Sequence, residues 1–249
     1  MAGADACKFQ FWSSPARLAH RRQSGRQYEE IYAKYQMPEA WLSTLKEECV
    51  AAGLKFMATC YLPEDIATVA PHVAHCKVSS FEAGDDAFID AHYPFCKDRL
   101  LIVSTGLQDT KRVMSLRLRR SAARGIGVRV ALLHCVSAYP APVESLHLQQ
   151  IRHEEFDGFS DHAAAMWSGS GAVAVACGAE ILEVHFRLFD TDPKNPDAPH
   201  ALTPEGLKRY IQHVRLAERA IGDGPFRDPM NAAEDDMRPY KVKAEEKPE

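Results

Sequence analysis

No uninterrupted apolar run in the chain is long enough for a bilayer span, which needs about 20 mainly apolar residues. The most apolar stretch, Ala163 to Val184, is broken by Ser168, Gly169, Ser170, Gly171 and the acids Glu180 and Glu183. It reads instead as a buried helix followed by a buried strand. The opening MAGADACKFQFW lacks the basic-then-apolar order of a secretion signal. CxxC pairs are missing too, and the seven cysteines are odd in number and scattered. That excludes a disulfide framework or a structural zinc module and predicts a reducing, cytoplasmic setting. Neither sign of charge dominates, with 30 basic against 34 acidic side chains and a formal charge of −4. Bulk electrostatics therefore favour neither nucleic acid nor an anionic membrane, and neither is expected as a partner. There is no solenoid-type repeat and no low-complexity tract.

What the 249 residues do have is a globular composition, 46% hydrophobic and 26% charged. Short runs rich in Val, Ile, Leu and Phe recur, each followed by a turn and a longer stretch with helical spacing. The predicted strands are Ala6 to Phe11, Leu54 to Cys60, His75 to Ser80, Leu100 to Ser104, Val128 to Cys135, Phe156 to Ser160 and Ile181 to Phe186. Between them, Pro38 is expected to open a helix with Trp41, Leu45, Cys49 and Ala52 near one face and Gly53 as its stop. Thr203 is the expected N-cap of a later helix, with Pro204 at its first position and a stripe of Leu207, Tyr210, Ile211 and Val214 ending at Gly222.

Alternating strands and helices imply a parallel sheet, and about 250 residues is the usual size of an eight-stranded βα barrel. The expected fold class is α/β, a TIM (β/α)8-type barrel. Only seven strands are predicted, so a first βα unit is expected to be missing. Residues 1–224 are read as the barrel and 225–249, which end in KVKAEEKPE, as a polar tail.

Chemistry in such a barrel sits where strands end and βα loops begin. Lys8 and Gln10 end the first strand, Thr59 the second and Ser104 with Thr105 the fourth, while Lys77, Ser80 and Glu82 lie at the end of the third. His134, Ser137 and Tyr139 follow the fifth strand, Ser160, Asp161 and His162 the sixth, and Glu183 and His185 the last. Lys8 and Lys77 occupy apolar strand contexts, where a charge is costly unless it meets an opposite one. Either an ion pair with Glu82 or Glu183, or a bound phosphate or carboxylate, satisfies that demand. Hydroxyls from Thr59, Ser80, Ser104 and Ser160 on the same rim favour the anion, although each alone reads more simply as a local turn or cap residue. His162 and His185 end successive strands with Asp161, Glu183 and Asp197 nearby in sequence. Two imidazoles with oxygen ligands suit a divalent ion such as Mn²⁺; a lone imidazole would more simply be a hydrogen-bonded core group. No HExxH-type motif strengthens the assignment. Asp85 and Asp86 read as acids at a helix N-terminus, Met57, Met114 and Met166 as gap-filling core, and Arg117, Arg119, Arg120 and Arg124 as a solvated helix face.

Taken together, CKFQ at 7 to 10, FMATCY at 56 to 61, CKVSSFE at 76 to 82, IVSTG at 102 to 106, LLHCVSAYP at 132 to 140, GFSDH at 158 to 162 and EVHF at 183 to 186 resemble the sialic acid synthase family. These are the phosphoenolpyruvate-dependent synthases of N-acetylneuraminate and related nonulosonates, including spore-coat polysaccharide homologues. The resemblance runs from about Ala2 to Gly222. It implies a barrel that condenses phosphoenolpyruvate with an N-acylmannosamine-type aldehyde sugar, assisted by a divalent metal, manganese first, with magnesium and cobalt as alternatives. Lys8, Thr59, Lys77, Ser80, Ser104 and Ser160 would hold phosphoenolpyruvate, and His162 and His185 the metal. Gln10, Tyr139 and Asp197 would contact the sugar, with Ser137 and Glu183 beside them, and Glu82 would position or activate water. Lys77 and Tyr139 join Glu82 as the catalytic candidates, and a homodimer is the expected assembly. Ser137 departs from an Asn found in some members and Val184 from a residue that is often basic. The family's first strand, with its Glu and Asn-His loop, and its C-terminal antifreeze-like domain have no counterpart in the 249 residues. A barrel that keeps the binding rim without turnover, or a different metal-dependent aldolase-type barrel, are the alternatives.

Overall fold

The computed structural model describes residues 2–222 and 232–241. Seven parallel strands follow one another in chain order across one sheet: β1 (Ala6–Phe11), β2 (Lys55–Cys60), β3 (Cys76–Val78), β4 (Leu100–Ser104), β5 (Arg129–Cys135), β6 (Gly158–Asp161) and β7 (Ile181–Val184). Strictly sequential parallel order requires a crossover after each strand, always in the same sense, and this rolls the sheet into a barrel-like curl. Helices fill the crossovers: α1 (Pro15–Arg21), α2 (Arg26–Lys34) and α3 (Trp41–Ala51) after β1, α4 (Ile66–Val69) after β2, and α5 (Asp86–Asp90) after β3. Then come α6 (Thr110–Gly125) after β4, α7 (Gln150–His153) after β5, α8 (Ser170–Ala176) after β6 and α9 (Pro204–Ile221) after β7. The predicted strands all form, each within three residues of its expected bounds.

Local chemistry explains the helix ends. Thr203 Oγ1 accepts from the Gly206 amide at 3.2 Å, Pro204 begins α9, and Gly222, with φ of 68°, terminates it. Asp85 caps α5 by accepting from the Phe88 amide at 3.0 Å. Pro38 opens a turn, and α3 itself starts at Trp41. Of the predicted stripe, Cys49 is buried and Leu45 packs against the core, but Trp41 and Ala52 are exposed and Leu42 takes the buried place beside Trp41. Met114 and Met166 are likewise exposed, unlike Met57. Three of the four arginines read as a solvated face are tied down: Arg117 to Glu154 and Glu155, Arg119 to Asp90, and Arg120 to Asp157. Within the predicted polar tail, Ala232–Tyr240 forms a 3₁₀ segment; the other residues of that tail, apart from Lys241, lie outside the described residues.

Period-two alternation divides each strand between two cores. Outward residues such as Phe11, Phe56, Val78, Leu101, Leu132 and Phe159 pack beneath the helices in the main hydrophobic core. Inward residues Met57, Ile102, Ala131 and Leu133 form a smaller apolar layer inside the curl. Two positions further along, on the same inward face, stand Thr59, Ser104 and Cys135. An apolar floor thus closes the interior under a polar layer.

Removing the Phe159 ring should leave a cavity between β6 and the helices. Phe159→Ala is expected to lower unfolding free energy by about 3–5 kcal/mol, read from urea denaturation midpoints at unchanged m-value. A second expectation concerns the buried imidazoles His92 and His134. Burial, only partly opposed by bonds to the Phe88 and Leu146 carbonyls, holds both below the usual histidine range. The unfolded chain takes up protons near pH 6.5, where these folded imidazoles resist them. Stability should therefore be fullest above about pH 6.5 and fall as pH drops towards 5, a trend that urea unfolding across that range would show.

Candidate functional site

Inside the curl, above the apolar floor, the two sheet ends meet through side chains. Lys8 on β1 reaches Glu183 Oε1 on β7 at 3.2 Å, and Lys77 on β3 lies 3.5 Å from Glu183 Oε2. Ser160 donates to the same carboxylate at 2.8 Å, and Lys77 Nζ donates to Ser104 Oγ at 2.8 Å and to the Val78 carbonyl at 3.0 Å. Burial alone would raise Glu183, but the Lys77 and Lys8 charges and the Ser160 hydroxyl outweigh it and hold the carboxyl well below its ordinary range. Lys77 is 4% exposed, and its burial drives its pKa down against the pull of Glu183. Of the two acids expected as lysine partners, Glu183 is the one used. Thr59, paired in register with Lys77, has its Oγ1 buried with no hydrogen-bond partner.

Glu82 goes elsewhere. Its carboxylate accepts from Arg22 Nη2 at 3.0 Å and Nε at 3.2 Å, and Ser79 Oγ donates to its second oxygen. The Arg22 guanidinium lies between the rings of Tyr61 and Phe81, 4.6 Å from each centroid. Such stacking suits the planar, weakly hydrated cation. The clamp comes from the segment after α1, which folds back over the mouth of the curl.

Ser80 Oγ accepts from the Gly106 amide at 3.1 Å and sits against Cys135 Sγ. A Cβ on Gly106 would lie 2.2 Å from Ser137 Oγ and 2.9 Å from Ser80 Oγ, so only glycine lets these hydroxyls approach the backbone there. Thr105 Oγ1 is spent on the Leu133 carbonyl at 2.9 Å.

Higher on the rim is a group of imidazoles. The rings of His162 and His185 are 5.4 Å apart, and Tyr139 lies 4.3 Å from His162. His162 Nδ1 bonds the Val136 carbonyl at 2.7 Å, which makes Nδ1 the protonated nitrogen and leaves Nε2 free to accept. His185 Nδ1 stands 3.4 Å from Asp197 Oδ2, which also accepts from Gln10 Nε2 at 2.8 Å; Tyr61 donates to Gln10 Oε1 at 2.7 Å. Against the opposing effect of burial, the bond and charge of His185, then His200 and Gln10, bring Asp197 down to about 2. The three-membered group able to hold a metal ion, among the described residues, is His185, Asp197 and His200, with ligand atoms all within 4.8 Å of one another. Burial, followed by the neighbouring His185, pulls His200 down to about 4, so its ring is neutral at pH 7. Lys8, Gln10, Arg22, Glu82, Tyr139, Asp197 and His200 share one open cavity of about 1300 Å³.

Two residues expected at the strand-end rim face other ways. Asp161 turns towards α8 and α9, accepting from Ser170 at 2.5 Å and Tyr210 at 3.0 Å. His134 points outward, bonding the Leu146 carbonyl at 2.7 Å between Phe156 and Phe159. Conversely, Arg22, Tyr61 and His200 were absent from the predicted site. For His200 the available signal was its place three residues after Asp197 in DAPH; Arg22 carries no signal of its own.

Comparison with known proteins identifies the family and the fold. The model of the NeuB family matches residues 1–225. An uncharacterised protein of Methanocaldococcus jannaschii is 30% identical over 234 residues, 89% of this chain and 64% of that protein. A pseudaminic acid synthase of Campylobacter jejuni is 28% identical over 241 residues, 90% of this chain and 68% of the enzyme. The chain thus spans about two thirds of the length of these relatives. A crystal structure of a sialic acid synthetase from Leptospira borgpetersenii superposes with a TM-score of 0.81 at 22% identity, covering 96% of this chain and 81% of that one. With its motifs, its sequentially ordered parallel sheet and a family model matched along nearly all of its described length, the chain belongs to the NeuB family.

Proposed function

We propose that this protein condenses phosphoenolpyruvate with an N-acylmannosamine-type aldehyde sugar, forming a sialic acid or related nonulosonate and releasing phosphate. The observation that carries this reading is the convergence of Lys8 and Lys77 with Thr59, Ser104 and Ser160 on one interior layer, directly beneath the imidazole group. Two ammonium groups and several short hydroxyl donors are what a small doubly anionic acid requires. In the structure Glu183 is the counter-charge to both lysines, and an anion that enters there joins an environment already biased positive. Ser80 and Ser137, held close over Gly106, would complete the anion's contacts.

The sugar would lie above, against Gln10, Tyr139 and Asp197. C3 of phosphoenolpyruvate forms the new bond to the aldehyde carbon, water adds at C2, and phosphate departs with C–O cleavage. A divalent ion, manganese foremost, held by His162 and His185 beside Asp197, would supply Lewis-acid polarisation of the aldehyde oxygen. The two buried, unpartnered ring nitrogens of His200, packed against His185, fit such an ion. Glu82, fixed by Arg22 and Ser79, is held as an oriented carboxylate for the attacking water, and its charge would stabilise the cation developing at C2. Lys77 would stabilise negative charge moving onto the phosphate. Holding both substrates in one orientation can contribute about 7–11 kcal/mol to lowering the barrier.

The same reading makes the curl seven strands of an eight-stranded (β/α) barrel, the place of the remaining βα unit lying between β7 and β1. It takes residues 1–224 as the synthase domain and 225–249 as a polar tail, and expects a cytoplasmic homodimer. Among the described residues no helix is long and apolar enough to cross a membrane.

The test is phosphate release. The chain should liberate phosphate from phosphoenolpyruvate only when an N-acylmannosamine and Mn²⁺ are both present, and Lys77→Met should reduce that rate by about 100-fold or more. Absence of sugar-dependent release from the wild-type chain with every N-acylated mannosamine, phosphorylated or not, would overturn the assignment.

A further inference from the structure

His200 lies in the connection between β7 and α9 and is 2% exposed. Both of its ring nitrogens are shut off from solvent, and neither has a hydrogen-bond partner. A buried imidazole ordinarily satisfies at least one nitrogen, as His92, His134 and His162 do with the carbonyls of Phe88, Leu146 and Val136. Leaving both unpaired is costly unless something else meets one of them. The surroundings say what that would be. The His200 ring packs edge-on to His185 with centroids 4.5 Å apart, and Nε2 points towards Asp197 Oδ1 at 3.8 Å, too far for a hydrogen bond. His185 Nδ1 stands 3.4 Å from the other oxygen of the same carboxylate. Ligands held at about 2.1 Å from one ion lie roughly 3–4 Å from each other, and both separations fall in that interval.

We propose that His200 is a third imidazole ligand of the metal centre, binding the ion together with His185 and Asp197 next to His162. This rests on the metal-assisted reading above and goes beyond the two-imidazole site that the motifs imply. Asp197 is already oriented for the task by the Tyr61–Gln10 relay, an arrangement that commonly fixes a ligating carboxylate. A shell with more nitrogen favours cobalt, zinc or iron over magnesium. The site is therefore selective for borderline transition ions, with magnesium a poor substitute.

The experiment titrates Co²⁺ into the metal-free full chain, following its visible d–d absorption, and counts coordinating imidazole nitrogens on bound Mn²⁺ by electron spin echo modulation. Wild type should show one imidazole more than the His162–His185 pair supplies. His200→Asn should lose one imidazole nitrogen and bind Co²⁺ at least about tenfold more weakly, with Mg²⁺ binding nearly unchanged. Equal nitrogen counts and Co²⁺ affinities within twofold for wild type and variant would overturn the proposal. If His200→Asn does not fold, the wild-type nitrogen count decides by itself. A wild-type chain that binds neither ion would bring down the metal-assisted reading and this proposal together; ion-dependent phosphate release with an unaltered His200→Asn spectrum would remove this proposal alone.

Discussion

Two ammonium groups inside a curled sheet can be tolerated only if a carboxylate sits between them, and Glu183 is that carboxylate. The rest of the interior is arranged around this demand. Desolvating charges costs several kcal/mol each, and Coulombic attraction offsets this only when remaining donors and acceptors are also met. Ser160 satisfies the carboxylate, and Ser104 and the Val78 carbonyl satisfy Lys77. Because Lys8 is on β1 and Glu183 on β7, the same contact pins the two ends of the sheet towards each other. An electrostatic requirement of the site and a geometric requirement of the curl are met by one interaction.

Strand periodicity made much of this legible. Alternating residues must face opposite sides of a strand, so polar residues at positions such as Lys8, Gln10, Thr59 and Lys77 stood out against an apolar background. Periodicity does not say where a side chain goes once the strand has ended. Asp161, the last residue of β6, is captured by Ser170 and Tyr210, partners from α8 and α9 that no local pattern reveals. His134 falls on the outward face of β5 by the same alternation that turns Cys135 inward, and Leu146, at the end of the 3₁₀ turn Val143–Ser145, offers it a carbonyl.

What stayed hidden came from loops and from side chains that act at long range. Arg22 reaches Glu82 across 60 positions of sequence, and its value depends on two aromatic rings from different loops. One arginine among several in a polar segment gives no hint of that sandwich. His200 is similar, since three residues after Asp197 it could have served as a surface polar group. Burial of both nitrogens is a property of the folded connection alone. Met114 and Met166 show the reverse error, being apolar residues whose helix or loop leaves them on the outside.

The excursion between β1 and α3 touches both sides of the opening. Arg22 grips Glu82 on the β3 side, while Lys34 and Tyr35 at the end of α2 hold Asp192 in the connection that also bears Asp197 and His200. One segment is thereby fastened to the Glu82 carboxylate and to the connection between β7 and α9 at once. Any hinge that widens the opening past α1 and α2 must loosen or carry both attachments, so access to the interior and the arrangement of these side chains are mechanically joined.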